Sequence, residues 1–142
     1  MKNILIVDPD NGSARLAEIL LSQGCRAMVA QDARTALMIV RSGIQVDLVV
    51  SETELPDMNG IEFLAQLRRS FPKLPVIVVT SQCSIETYLQ AASLDVAEYL
   101  AKPLFIREFC RVVRITLSQS AASHGMQQGM NGEDDYDYLA AS

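Results

Sequence analysis

Five short apolar runs alternate with five amphipathic helical patterns over the first 118 residues, and this alternation limits the available folds more than any other feature. The runs lie at 3–7, 27–30, 46–50, 76–80 and 98–101. They are continuous and rich in β-branched residues, as strands buried on both faces tend to be. The third extends through Asp47 to Ser51 and ends in Glu52. Between the runs, amphipathic segments occupy about 12–24, 33–42, 60–71 and 84–94, with a last one at 105–118. In that last segment Ile106, Phe109, Cys110, Val113 and Leu117 recur at helical spacing, and Arg107, Arg111 and Arg114 fall on another face. Strands that alternate with helices of this length call for right-handed crossovers and a parallel sheet.

The fold class expected is therefore α/β, a flavodoxin-like doubly wound (βα)5 sandwich whose five-stranded parallel sheet runs in the order 2-1-3-4-5. Ligands of such sheets bind outside the carboxyl ends of strands 1 and 3, where Asp8 and Glu52 stand. At 142 residues the chain makes one domain with a single substantial core. No apolar run approaches the roughly 20 residues a bilayer span requires, so no membrane partner is expected. Asp8 and Asp10 interrupt the N-terminal apolar run too soon for a secretory signal. Three cysteines, Cys25, Cys83 and Cys110, are odd in number and lack metal-binding spacing, which points to a reducing cytoplasm. Of the 17 acids, Glu133, Asp134, Asp135 and Asp137 lie in the last ten residues. The remaining 13 acids face 12 bases, so the body carries no basic footprint for direct nucleic-acid binding. Residues 119–142, which include His124, read as a flexible acidic tail or linker after a 1–118 domain.

Taken together, five elements resemble a bacterial response-regulator receiver domain over roughly residues 2 to 118. Asp8 ends strand 1, with Asp10 close by. Glu52 ends strand 3 and is followed at the family spacing by Pro56 and Gly60. Thr80 ends strand 4, Tyr99 lies in strand 5, and Lys102-Pro103 closes that strand in a pair that is typically a cis peptide in the family. The resemblance implies a pocket in which a strand 3 aspartate takes a phosphoryl group, paired acids hold Mg²⁺ and the lysine contacts the phosphoryl oxygens. It also implies a threonine and an aromatic residue that rearrange to expose a helix 4–strand 5–helix 5 face. Clustered oxygens suit Mg²⁺, a hard octahedral cation, which neutralises charge on the transferring group.

Two residues depart from that pattern. Glu52 stands where the family has its phosphoacceptor aspartate, and Pro9 replaces the second acid after strand 1. Asp10 comes one residue late, as a displaced ligand or as a helix cap. These departures mark an atypical or pseudo-receiver with impaired Mg²⁺ binding, in which Asp8, Asp10 and Glu52 are only weak metal candidates. Glu52 is either an acid neutralised by Lys102 or a permanent substitute for the phosphorylated acceptor, charged through Lys102 and hydrogen-bonded by Thr80. Glu54 and Gln82 occupy pocket-rim positions.

No turnover of a substrate is expected. Function is expected to run through a protein partner on the helix 4–strand 5–helix 5 face, or through a homodimer in which the helix 5 arginines pair with Glu86, Asp95 and Glu98. Two other readings stay open. One is the N-terminal regulatory segment of a larger transcriptional regulator; the other is a small-molecule sensor using the strand 1–strand 3 crevice.

Overall fold

A computed structural model describes residues 1–122. The chain divides into two units, Met1–Pro103 and Leu104–Ser142. In the first, five strands alternate with four helices: β1 (Asn3–Val7), α1 (Gly12–Ser22), β2 (Arg26–Ala30), α2 (Ala33–Arg41), β3 (Leu48–Glu52), α3 (Gly60–Ser70), β4 (Val76–Thr80), α4 (Ile85–Ala92) and β5 (Glu98–Ala101). All pair in parallel, in the order β2-β1-β3-β4-β5. This is the expected doubly wound sheet. The strand order reverses between β1 and β3, so the crevice opens beside their carboxyl ends.

Burial along the strands follows their place in the sheet. The central strands β3 and β4 are buried at every residue, whereas β2 and β5 are only partly covered. The expectation of strands buried on both faces thus fails for these two, because each lies at an edge. One face of the sheet carries Leu5, Val7, Val49, Val76 and Val78, packed with Ala33, Ala36, Leu37 and Val40 of α2, Phe63, Leu64 and Leu67 of α3 and Ala91 of α4. The residues between them in the strands (Ile4, Ile6, Leu48, Val50, Ile77 and Val79) are equally buried and point the other way.

Local chemistry sets the helix ends. Asp32 caps α2 by accepting from Thr35 N at 2.7 Å, Asn59 caps α3 through Ile61 N at 2.8 Å, and Ser84 caps α4 through Thr87 N at 3.1 Å. Gly43, with φ of 94°, takes the left-handed conformation that ends α2.

In the second unit, residues 104–122 are described and form α5 (Ile106–Ala122). Ser118-Gln119-Ser120-Ala121-Ala122 holds no glycine or proline, so the helix continues four residues past 118. The rest of the acidic tail, with His124, lies outside the described residues. Of the residues at helical spacing, Phe109 and Val113 are buried, Cys110 and Leu117 are partly buried and Ile106 is exposed, while Val112 and Thr116, outside that set, are buried. The arginine face is not uniform: Arg107 and Arg114 are exposed but Arg111 is buried. Position 111 lies about 100° round the helix from Val112 and away from the apolar stripe, so periodicity does not account for its burial, although its long aliphatic stem is of a kind that packing can cover.

Candidate functional site

Four carboxyl-terminal strand ends bring the site together. β1 delivers Asp8, β3 delivers Glu52, β4 delivers Thr80, and β5 is followed by Lys102, whose N–H donates to Thr80 O at 2.8 Å. The Lys102–Pro103 peptide bond is cis. Lys102 Nζ lies 2.8 Å from Asp8 Oδ2, 3.0 Å from Glu52 Oε1 and 3.7 Å from Asp10 Oδ2. Asp8 and Glu52 are almost fully buried, whereas the Asp10 side chain is 62% exposed. One ammonium therefore serves two buried carboxylates, with a third acid at the rim.

Glu52 faces donors on all sides. Its Oε2 accepts from Thr53 N at 2.7 Å, Glu54 N at 3.2 Å and Ser81 N at 3.4 Å, and from Thr53 Oγ1 at 3.2 Å. Its Oε1 accepts from Ser81 Oγ at 3.3 Å as well as from Lys102. Burial alone would raise the pKa of this carboxyl. The hydrogen bond and charge of Lys102, with the N–H groups of Glu54 and Thr53, outweigh it, and the group sits below its ordinary range. For Lys102, burial favours the neutral amine, but the hydrogen bonds and charges of Asp8 and Glu52 prevail and raise its pKa. Both shifts favour the ion pair.

The loop after β3 is held tightly in place. Gly60 N donates to Thr53 O at 3.0 Å. A Cβ on Gly60 would lie 2.6 Å from both Thr53 Cα and Thr53 O, so only glycine allows the start of α3 to approach this closely. That contact fixes Thr53, and Thr53 N in turn fixes Glu52.

Thr80 is placed differently from the sequence expectation. Its hydroxyl does not bond Glu52; it lies 2.7 Å from Thr53 Oγ1 and accepts from Gln82 N at 2.9 Å. Ser81, one residue on, supplies the hydroxyl and the N–H that reach Glu52. The reason lies in the strand alternation: at the end of β4, successive side chains point to opposite sides. Sequence reasoning did not single out Thr53 or Ser81. The N-cap of α1 is Asn11, so Asp10 does not take the cap position; its Oδ1 accepts from Gly12 N at 3.3 Å and its Oδ2 faces Lys102. The backbone of Glu54 reaches the pocket, while its side chain is exposed.

Tyr99 packs edge-on against Tyr88 of α4, with ring centroids 5.4 Å apart. Its hydroxyl is buried, beside Ser84 and Cys83. Burial, with the nearby Cys83 and Glu52, raises its pKa. Cys83 itself is exposed.

The resemblance also implies a divalent cation. Magnesium takes six oxygens in near-ideal octahedral geometry. Here the oxygens of Asp8, Glu52 and Asp10 that face the pocket converge on the Lys102 ammonium, and the other oxygen of Asp8 accepts from Asp10 N at 2.9 Å. Among the described residues no group of three acids, histidines or cysteines is arranged to hold a metal ion. The residues in this arrangement do not fit a bound divalent cation.

Comparison with known proteins agrees with the geometry. The response regulator receiver domain profile matches residues 4–114. The chain is 33% identical over 133 residues to the transcriptional regulatory protein CpxR of Escherichia coli, covering 93% of this chain and 56% of CpxR. It is 32% identical over 121 residues to the transcriptional regulatory protein ZraR of Klebsiella oxytoca, covering 84% of this chain but only 26% of ZraR. A CheY-like receiver domain protein from Methanospirillum hungatei superimposes with a TM-score of 0.82 at 26% identity, over 87% of this chain and 98% of that one. The chain spans about a quarter to a half of the length of these curated relatives. No helix among the described residues is long and apolar enough to cross a membrane. Strand order, the acid-and-lysine pocket and a profile match across most of the chain agree, and the chain belongs to the response regulator receiver domain family, the signalling module of two-component systems.

Proposed function

We propose that this receiver signals by protein–protein contact without being phosphorylated, with Glu52 acting as a fixed stand-in for the phosphorylated acceptor. The observation that carries the reading is the cradle around the Glu52 carboxylate. Three backbone N–H groups, two hydroxyls and the Lys102 ammonium all donate to it. A phosphoryl group on a shorter aspartate would need donors of this kind, and here the glutamate side chain already occupies them. The buried Tyr99 hydroxyl supports the same reading, because the family's signalling state turns this aromatic residue inward. The proposed docking surface is the family's helix 4–strand 5–helix 5 face. On α4, Ile85, Tyr88 and Leu89 are 79%, 51% and 59% exposed, an apolar patch unusual for a helix packed on a core. A single carboxylate charge is a weaker bias than the −1.5 to −2 of a phosphate, so the active-like state it favours is partial.

The test is intact-mass spectrometry after incubation with acetyl phosphate and Mg²⁺, combined with NMR of the Tyr99 ring in wild type and Glu52→Gln. The reading requires an unchanged mass, and a Tyr99 environment that shifts when the charge at 52 is removed. A phosphoryl increment mapped to Glu52, or a Tyr99 signal indifferent to Glu52→Gln, would overturn it.

A second reading has its own support. The matched relatives are transcriptional regulatory proteins of which this chain covers only a part. It would then be the regulatory segment of a longer regulator, joined to an output domain through the residues after α5. Sequencing the gene beyond the codon for Ser142 tests it: an open frame encoding a DNA-binding domain supports it, and a stop codon removes it.

A further inference from the structure

Away from the pocket, α2 and the loop that follows β3 form an open groove of about 470 Å³, lined by Arg34, Leu37, Met38, Arg41, Ser42 and Met58. Positions 34, 37, 38 and 41 recur at i, i+3, i+4 and i+7, so they share one face of the helix. Leu37 is buried and makes the floor, while Met38 is 67% exposed. Met58 is half-buried and held by Gln66, whose Nε2 lies 3.7 Å from the Met58 sulfur. Arg34 and Arg41 are both exposed, and neither takes part in an ion pair among the described residues. Asp57, beside Arg34, has both oxygens committed to the N-terminus of α2, accepting from Ala33 N and Arg34 N at 2.9 Å each. Its charge bears on Arg34. Two cations therefore flank a methionine-lined apolar strip.

We propose that this groove docks an acidic peptide segment of a partner protein, with two carboxylates bracketing one apolar or aromatic side chain. The spacing follows from the helix. Seven residues at 1.5 Å per residue put the Arg34 and Arg41 backbones about 10 Å apart, the span of about three residues of extended chain. Because side chains of an extended chain alternate faces, acids on one side of it that span this distance stand four apart, with the anchor midway between them over Met38 and Met58 and the long arginine stems taking up the extra residue. Methionine suits this role because its flexible, polarizable side chain adapts to differently shaped anchors. Each arginine offers a planar fork of donors to a carboxylate. Two cations are too few for a nucleic-acid backbone, whose binding rests on many phosphate contacts. The site owes nothing to Glu52 and stands or falls separately from the phosphorylation-independent reading.

The experiment is fluorescence anisotropy of the full chain with a labelled peptide Gly-Ser-Asp-Ala-Phe-Ala-Asp-Ser-Gly, in which both acids and the anchor share one side of an extended chain, beside the same peptide with both aspartates replaced by asparagine. The protein variant is Arg34→Gln combined with Arg41→Glu; glutamine is used at 34 because a second acid beside Asp57 would disturb the α2 cap. Both positions are exposed, and circular dichroism checks that the variant is folded. The expected result is saturable binding that weakens about tenfold or more in the double variant, weakens several-fold for the asparagine peptide, and falls with added salt. Met38→Ser is expected to weaken it about threefold through the lost anchor contact. No saturation at millimolar protein would overturn the proposal, as would equal binding by the double variant. So would the chain binding phosphatidylserine vesicles through Arg34 and Arg41 while ignoring the peptide.

Discussion

Replacing Lys102 by methionine tests the central feature of the pocket. The substitution keeps the length and most of the volume of the side chain and deletes only the ammonium. Asp8 and Glu52 are then left buried without their cation. Removing one partner of a buried ion pair typically costs 3–5 kcal/mol. The Lys102 side chain is 19% exposed, so water reaches part of the gap, and a loss of about 3 kcal/mol is expected. With a urea m-value of about 1–1.5 kcal/mol/M for a domain of this size, the unfolding midpoint falls by about 2 M or more. The double variant Lys102→Met with Glu52→Gln should be less destabilised than the sum of the singles, by about 1 kcal/mol or more, because the two groups touch. The pH dependence gives a second check. Without the ammonium, Glu52 loses the influence that holds its pKa down, so acidification protonates it more readily and relieves the buried charge. The deficit of Lys102→Met should therefore shrink between pH 7 and pH 4. A midpoint within about 0.5 M of wild type, or a deficit that stays constant with pH, would refute the claim that the ammonium holds this pocket together.

The wild-type protein has its own pH window. The folded-state pKa of Glu52 lies below its ordinary 4.5, so its stabilisation is fully present above that value and is lost as pH falls through the folded pKa. Lys102 is raised above its ordinary 10.5, so its share is present below that value and lost as pH rises through the folded pKa. Urea midpoints should be level between these limits and fall outside both. Gly60→Ala should destabilise by about 1–3 kcal/mol, the usual cost of overpacking, although alanine ordinarily improves a helix by about 1 kcal/mol over glycine; a stabilised variant would show that the contact with Thr53 relaxes freely. Arg68→Met should cost about 2 kcal/mol, because the guanidinium donates to Leu94 O at 2.9 Å, Leu74 O at 2.7 Å, Pro72 O at 3.1 Å and Phe71 O at 3.3 Å. Arg68→Lys should recover less than half of that loss, since one ammonium cannot span all four carbonyls, and equal stability of Lys and Arg at 68 would sink the explanation.

The sheet order was legible because runs alternating with helical patterns leave few right-handed parallel topologies. The convergence of Asp8, Glu52 and Lys102 was legible for a related reason: each lies at a strand's carboxyl end, and the topology brings those ends together. What the hydroxyls do was not legible. Thr53, Thr80 and Ser81 lie within one residue of strand ends, and a change of one residue turns a side chain to the other face. Thr80 therefore seemed the donor to Glu52, while the structure gives that role to Ser81 and turns Thr80 toward Thr53. Burial of Arg111 was hidden too, because helical periodicity places it on the side away from the apolar stripe. The α2 groove was invisible because its parts, Arg34, Met38 and Met58, carry no motif.

The same ammonium geometry bears on both steps of a phosphorylation cycle. A divalent cation at Asp8, Asp10 and Glu52 would have to displace Lys102, which is bound to the first and third of these acids at 2.8 and 3.0 Å. A phosphoryl group would bring a charge of −1.5 to −2 against Asp8 and Asp10, without the metal that offsets such repulsion in phosphoryl transfer. Here two buried carboxylates share one ammonium, and backbone N–H groups donate to each of them. Millimolar Mg²⁺ should therefore leave both the melting temperature and tyrosine fluorescence of the wild type unchanged. Lys102→Met, with its acids uncovered, should gain stability from the same Mg²⁺, because a ligand that binds only the folded state raises its melting temperature. A wild-type protein that Mg²⁺ stabilises as much as it does Lys102→Met would mean that the ammonium yields readily. The pocket would then retain the metal chemistry of its family despite Glu52 and Pro9.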